Sequence, residues 1–509
     1  MFSTDSISLK NDKTWKLIQN GHTIGVFQLE SDLGKRWAST IKPSNINELS
    51  AVISLIRPAC LESGMTDSYF KVKFGMEEIT DYKDEAINKI LEPTLGVLIY
   101  QEQLMKFGGE IAWSDFNYID RLVIVDKLRK GIGKKDQKII LDLKDKFING
   151  CIKNGRSKET AERLFELIEG AGRYAFNDAH AKKYALWSYK TAYLKANFPL
   201  EFYCTYLTYS KAKQKPREEI ADLINEAKML GISVVKPDIN FSKSDFSIVN
   251  QDNSSKIYYG LSHIKQVGEN DSYIIEKNRP KNFYDLLKLH FIGDESTKLR
   301  GQALENIIYS GSCDSYGISR STMNSIFLML KQLTKREIEF IFDLENIPTV
   351  KDLVERVKLC GIEKSTKNRK DIVQSEASAI DIKSIDSSPM LATKERDIMG
   401  FSFTYDYNLN QTDEGSCKEC FKRYKNNKNL SVNLTVKISD IGLMLTKKGK
   451  NPGQEMARFK ISDNTGSINV ICFPDDYQKI KTILQEEGYY LVNVIGTGNG
   501  WSVKTLKMI

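Results

Sequence analysis

The chain has 509 residues, 41% of them hydrophobic, with 74 Lys and Arg against 66 Asp and Glu and a net charge of +8. That length suits roughly three or four domains with a sizeable core, and the mild positive excess permits an acidic partner without requiring one. No apolar run nears the roughly 20 residues of a membrane-spanning helix, the start MFSTDSISLKNDKTW lacks a signal-peptide pattern, and eight scattered cysteines argue against a disulfide framework, so a cytoplasmic protein with no membrane partner is expected.

In chain order, residues 1–210 show mainly helical periodicity. GHTIGVFQLES (21–31) reads as a strand or turn feeding a helix. SAVISLIRPACLESGM (50–65) reads as an apolar helix stopped by Pro58. TLGVLIYQEQLMKFGGEIA (94–112) starts apolar and β-branched, then turns amphipathic. Residues 135–154 and 157–171 both space their apolar side chains for helices.

Residues 211–345 form a smaller mixed region. EEIADLINEAKMLGI is a helix ended by Gly231, and KIYYGLSHIKQVGEND predicts a strand, a helix and then a glycine turn. Residues 346–430 are polar, and KSTKNRKDIVQSEASAIDIKSIDSSP reads as a mobile linker. Cys417 and Cys420 make one CxxC without a second pair or a neighbouring histidine, so zinc is not expected. Residues 431–509 hold five short strands with turn signals between them, which suggests a small barrel, most economically an OB-fold.

The stretch AGRYAFNDAHAKKYALWSYKTAYLKANFPLEF (171–202) carries the most chemistry. It sets Asn177, His180, Lys182, Lys183, Lys190 and Lys195 among Tyr174, Phe176, Tyr184, Trp187, Tyr189 and Tyr193. Cations suit phosphates and flat rings suit bases. An amphipathic core helix with snorkelling lysines explains the same composition. Few turn residues precede Pro199, so much of the run reads as one helix.

The order of these segments resembles the C-family bacterial replicative DNA polymerases, the polymerase III alpha subunits, from about residue 12 onward. EPTLGVLIYQEQLMK is similar to that family's EPTxGxxxYQEQ block, and FNDAHAKKYALWSYKTAYLKANFPLEF to its FNKSHAxAYxxxSYxTAYLKAxxPxEF segment. DKLRKGIGKK resembles its LRRAMGKK phosphate loop, and LIRPACLESGM its Arg-Pro-Gly loop, with Ala59 where glycine is usual. KPDINFSKSDF, YGLSHIKQVGE, MGFSF and MARFKISDNTGSINVICFPDDY follow in the family's order. The resemblance implies a multidomain α+β protein: mainly helical fingers over 1–210, a helix-hairpin-helix and clamp-binding region over 211–345, a linker with a helical segment over 346–430, and the OB-fold over 431–509.

It also implies roles for particular residues. Arg129, Lys130, Lys134 and Lys135 bracket Gly131 and Gly133 and would hold the phosphates of an incoming dNTP, joined by Arg57, Asn177, His180 and Lys182. Gln101, Glu102 and Gln103 would support that site. Lys265 and Gly268 fit one hairpin that meets duplex phosphates. Lys447, Lys448, Lys450 and Arg458 give the barrel a basic face for the template, with Phe459 pointing inward by strand alternation and Phe473 as a second aromatic.

The family's magnesium-binding aspartates lie upstream of GVFQLES. Asp238, Asp381, Asp386, Asp475 and Asp476 do not make the close carboxylate set that two-metal phosphoryl transfer requires. No catalytic or metal-binding residue is therefore assigned. The expectation is a polymerase part that binds dNTP and primer-template DNA, with Mg2+ and palm carboxylates supplied by a palm-bearing partner chain and a sliding clamp as a further partner. A bacteriophage source, acting in an infected host cell, fits the split arrangement and the lysine-, asparagine- and isoleucine-rich composition; a bacterial cytoplasm is the other setting. A non-catalytic DNA-binding or regulatory remnant of such a polymerase is the alternative.

Overall fold

The computed structural model describes residues 3–134, 137–172, 175–251, 254–294, 298–404, 415–423, 427–446, 452–486, 488–498 and 500–508. They fall into two compact units, Met1–Pro199 and Leu200–Ile509.

The first unit is helical. Its longest helix, Asp178–Asn197, buries Ala181, Ala185, Ser188, Tyr189, Ala192, Lys195 and Ala196. Alanines on that face let the helix approach Ile46–Leu55 closely, and its buried residues enter two adjoining apolar clusters, one around Trp37 and Tyr69, the other around Trp15 and Val26. Tyr189 packs on Trp15 (ring centroids 4.7 Å) and donates its hydroxyl to the Ser8 carbonyl (2.9 Å), so it serves the core, not a base. Lys195 is also buried, its ammonium donating to the Ile24 carbonyl (2.7 Å). The run 178–197 is thus both things that its composition allowed: a core helix on one face and a charged, aromatic surface on the other.

GHTIGVFQLES is a turn, with Thr23 Oγ1 donating to the Leu29 carbonyl (2.7 Å), and it leads into helix Asp32–Ile41, capped by Ser31. Gly34 is needed there because a Cβ would lie 2.9 Å from the Leu29 backbone. Pro58 does not merely stop a helix. Ile46–Leu55 ends three residues earlier, and Pro58 opens the short helix Pro58–Glu62, where its missing N–H costs nothing. A third cluster gathers Phe107, Trp113, Phe147 and Phe165 beneath helices Tyr118–Lys134, Gln137–Lys153 and Lys158–Gly172.

The second unit begins with helices Pro199–Tyr209 and Pro216–Met229, followed by a small sheet. Its strands are β1 (Val234–Val235), β2 (Ser247–Gln251) and β3 (Ser254–Tyr258), in the order β1-β3-β2. The expected helix in GLSHIKQVGEND comes later than its pattern suggested: a single tight turn spans Leu261–His263, and the helix, Glu269–Asn278, starts after Gly268. The segment expected to be a mobile linker contains helices Lys367–Ser378 and Ser388–Met399. They are anchored by a few buried residues, among them Val373, Ala377, Ala392 and Glu395.

Two of the carboxylates weighed as metal ligands, Asp386 and Asp476, are occupied in the fold, as is the buried Glu395. Asp386 accepts from the Arg320 and Ser321 amides (2.7 and 3.0 Å), which caps helix Arg320–Lys331. Asp476 accepts from Lys479 and Lys504 (3.1 and 2.8 Å). The Glu395 carboxylate is enclosed by the Phe403 and Thr404 amides, two hydroxyls and the Arg320 guanidinium (2.7 Å). Arg320 also grips Asp314.

The five C-terminal strands are β4 (Ser431–Leu445), β5 (Glu455–Asp463), β6 (Gly466–Cys472), β7 (Tyr489–Gly496) and β8 (Trp501–Met508). They close into a barrel in the order β4-β5-β6-β8-β7, with helix Pro474–Ile480 between β6 and β7. This is the expected OB-fold arrangement, and the chain is a multidomain α+β protein. Phe459 fills the barrel core, as alternation required, and Met229 from helix Pro216–Met229 joins the same cluster. Seven of the eight cysteines are buried, Cys417 and Cys420 in the barrel core, and Cys204 is half-buried.

Candidate nucleotide and nucleic-acid interfaces

The YQEQ and FNDAHA blocks meet in the first unit. Gln101 N–H donates to the Phe176 carbonyl (2.8 Å), and Phe176 N–H to the Ile99 carbonyl (2.9 Å). Gln103 is buried and holds the bend before its own helix. Its Oε1 accepts from the Ile99 and Tyr100 amides (3.0 and 2.9 Å), and its Nε2 donates to the Ile90 carbonyl and Thr94 Oγ1 (3.0 and 2.6 Å). Tyr100 shares a hydrogen bond with Ser50 (2.9 Å), and burial pushes its phenol up to about 12, so it stays neutral.

Glu102 then fixes the start of the long helix. Its carboxylate accepts from Asn177 Nδ2 (2.6 Å) and the Asp178 amide (2.8 Å), while Asn177 Oδ1 caps the helix by accepting from the His180 amide (2.8 Å). A negative group here meets the positive end of the helix. Asn177 therefore orders the start of the helix, and Gln101, Glu102 and Gln103 all hold backbone or side-chain groups around this junction.

Beside this clamp runs a row of rings and cations in which Arg57, His180 and Phe27 are exposed and Phe176 and Tyr184 are half-buried. The Arg57 guanidinium lies 3.6 Å over the Phe176 ring. Stacked in this way, its flat face is covered and its N–H edge is left for an anion. Phe176 is followed by the exposed His180 (ring centroids 5.3 Å), then Tyr184 (4.1 Å) and Phe27 (5.1 Å). The Phe27 loop is tied to the helix by its amide, which donates to Thr191 Oγ1 (3.1 Å). Lys182 is paired with Asp178 (2.8 Å).

The glycine-spaced cations are arranged differently from expectation. Arg129, Lys130, Gly131 and Gly133 do not form a loop; they lie in helix Tyr118–Lys134. Gly131 is a packing residue there, since a Cβ would lie 2.6 Å from Ile139. Arg129 and Lys130 share Asp126 (2.8 and 2.6 Å), and hydrogen bonds from Lys130 and Arg129 lower that carboxyl below its ordinary range. Among the described residues, no hydrogen bond, ion pair or ring contact joins this pair to Arg57, Asn177 or His180. The Lys134 side chain and Lys135 lie outside the described residues.

In the second unit the hairpin ahead of Glu269 is held by its own side chains. The Gly268 amide donates to Asp271 Oδ2 (2.9 Å), so it is not open to a phosphate. The Lys265 amide donates to the Ile398 carbonyl (2.9 Å) and its ammonium pairs with Asp397 (3.2 Å). His263 is buried beside Asp245 (3.3 Å); burial pulls it below the usual histidine range, partly opposed by that aspartate. Arg300 is the residue that sequence reasoning missed. It binds Asp271 and the Gln266 carbonyl (3.0 Å) across the hairpin, yet its side chain is 62% exposed. A lone arginine ahead of a helix carries no motif, so only the fold identifies it. On the barrel, Arg458 and Phe473 are exposed, while Lys447, Lys448 and Lys450 lie outside the described residues.

Among the described residues, no group of three or more His, Cys, Asp or Glu could hold a metal ion, and no helix is long and apolar enough to cross a membrane.

Comparisons with known proteins agree with this anatomy. Residues 1–155 match the bacterial DNA polymerase III alpha subunit finger domain, and residues 231–323 match a helix-hairpin-helix motif. The DNA polymerase III subunit alpha of Aquifex aeolicus is 31% identical over 508 residues, covering 96% of this chain and 37% of that protein. Those of Campylobacter jejuni and Helicobacter pylori are 34% and 36% identical, over 66% and 63% of this chain and 27% and 26% of theirs. The chain thus spans between about a quarter and two fifths of the length of these relatives. It is a homologue of the bacterial DNA polymerase III alpha subunits and carries their finger domain and a helix-hairpin-helix motif ahead of a C-terminal barrel.

Proposed function

We propose that this chain is the nucleotide- and DNA-binding part of a C-family replicative polymerase. The first unit takes the incoming dNTP on Arg57, His180 and the residues around them. The second unit takes primer-template DNA at the hairpin and the barrel. The observation that carries this reading is the Glu102–Asn177 clamp, which fixes the start of the helix beside Phe176, the ring that both the exposed Arg57 guanidinium and the exposed His180 imidazole contact. Arg57 has no carboxylate partner among the described residues, which keeps its N–H edge available to a triphosphate. Arg129 and Lys130 are the secondary candidates, with Lys134 and Lys135 beyond them.

Magnesium and the carboxylates that hold it would come from outside the described residues, on a palm-bearing polypeptide. Location in a bacterial or phage-infected cytoplasm, and a sliding-clamp partner, belong to the same reading.

The test is nucleotide binding by the whole chain at fixed salt, followed by primer extension on mixing with a palm-bearing polypeptide. Arg57→Ala should weaken dNTP binding about ten-fold or more, as expected for a desolvated charge-assisted contact, with the circular dichroism unchanged. Equal affinity in the variant removes Arg57 from the site. Failure of every palm-bearing partner to restore extension favours a non-catalytic remnant.

A further inference from the structure

Trp187 stands out from the other tryptophans. Trp15, Trp37, Trp113 and Trp501 are buried, whereas Trp187 is 56% exposed in the middle of the longest helix of its unit. Lys190 lies over its indole, 5.4 Å from the ring centroid, and is itself held by Asp5 (2.7 Å). Within the segment that resembles the polymerase III alpha subunits, Trp187 falls at one of the positions where that pattern names no residue. The shared pattern therefore does not account for it.

The indole also continues a line. His180, Tyr184 and Trp187 are spaced three and four apart, so they follow one another along a single helix face. From His180 to Trp187 the helix rises about 10 Å, close to the length of three stacked bases. Phe27 flanks the line at Tyr184 and is 38% exposed. The charge on this face is complementary to a polyanion. On this face the helix carries three lysines, Lys195 being buried in the core: Lys183 is exposed, Lys182 is paired with Asp178, and Lys190 with Asp5. Rings in series beside cations are how proteins hold unpaired nucleic acid without reading its sequence.

We infer that the outer face of helix Asp178–Asn197, with Trp187 at its centre, is a stacking platform for unpaired deoxynucleotides, the single-stranded template next to the dNTP site. The inference rests on the polymerase reading above but concerns a separate ligand and an adjoining surface, which shares His180 and Tyr184 with the nucleotide site. Trp187 supplies a π-face, Lys183 and Lys190 offset backbone charge, and His180 joins the platform to the nucleotide site.

Because the other four indoles are buried, tryptophan fluorescence of the whole chain reports this surface directly. A short oligothymidylate, without dNTP, should quench the emission and shield the iodide-accessible fraction; a duplex of equal length should do so less. Trp187→Phe should abolish the optical change while single-strand binding, followed by anisotropy of a labelled oligonucleotide, persists. Trp187→Ala should weaken that binding roughly ten-fold, the scale of one lost stacking contact. Unquenched emission on saturation with the oligonucleotide, or unchanged affinity in Trp187→Ala, overturns the inference. So does shielding of Trp187 by a palm-bearing polypeptide but not by DNA. If Arg57→Ala loses dNTP binding while Trp187→Ala keeps the single strand, only the platform falls. If the chain binds neither ligand, the polymerase reading falls with it.

Discussion

The FNDAHA segment and the GLSHIKQVGE hairpin are comparable as strings, yet the fold uses them in opposite ways. In the first, scaffolding and presentation fall to different residues. Gln103, Glu102 and Asn177 hold the backbone, which leaves Arg57, His180 and Lys183 at the surface. In the hairpin the residues that looked ready for DNA are themselves the scaffold. The Gly268 amide is taken by Asp271, the Lys265 ammonium by Asp397, and His263 is buried. A residue outside that string, Arg300, combines a grip on the hairpin with an exposed guanidinium. The contrast teaches that a motif marks where the backbone is fixed, and that the groups meeting a ligand can sit beside it.

Substitutions can break or sharpen that contrast. The largest effect is expected where the second unit locks its charges. Arg320 and Glu395 are almost completely buried. Burial by itself would lower the Arg320 guanidinium, but Asp314 and Glu395 outweigh it and hold it above its ordinary value. Arg320→Ala should therefore cost about 3–5 kcal/mol of stability, as when one partner of a buried pair is removed, read by urea denaturation. A loss below about 1 kcal/mol, the level of an exposed pair, would mean that the network is not a lock.

In the first unit the corresponding change is smaller and reaches function. Asn177→Ala removes the cap of the long helix and one partner of Glu102, and should cost about 1 kcal/mol. It should also weaken dNTP binding, because His180 and Phe176 are positioned by that cap. Calorimetry and nucleotide titration of the same variant separate the two effects; full stability with lost binding would make Asn177 a ligand contact instead. The smallest effect should come from Arg300→Ala. Duplex affinity should fall similarly for all sequences, and the slope of log affinity against log salt should shrink by about one. An unchanged slope would remove Arg300 from the DNA surface.

Much of this anatomy was legible in the sequence, and the rest was hidden for identifiable reasons. The five barrel strands could be read because inward and outward residues alternate, which also put Phe459 in the core. The long helix could be read because few turn residues precede Pro199. The polar segment after residue 363 misled because helix Lys367–Ser378 buries only Val373 and Ala377, too few to leave an apolar stripe. The glycines of LRKGIGKK suggested a loop, but glycine also serves close packing, and Gly131 is used against Ile139. Glu102 was expected to support the site, but its grip on Asn177 spans 75 positions of sequence, which no local pattern encodes.

The burial of the thiols has a practical consequence. Two of the eight belong to the first unit and six to the second; Cys417, Cys420 and Cys472 share the barrel core, and the others sit elsewhere. Burial raises them away from the reactive thiolate, Cys151 and Cys360 to about 11. In the intact protein they should resist alkylation, and each should become reactive only when its surroundings open. Pulsed labelling followed by peptide mapping would then give eight built-in clocks for local opening. A cysteine introduced on the surface would be the first to take a dye, giving a near-unique attachment point without removing any native residue.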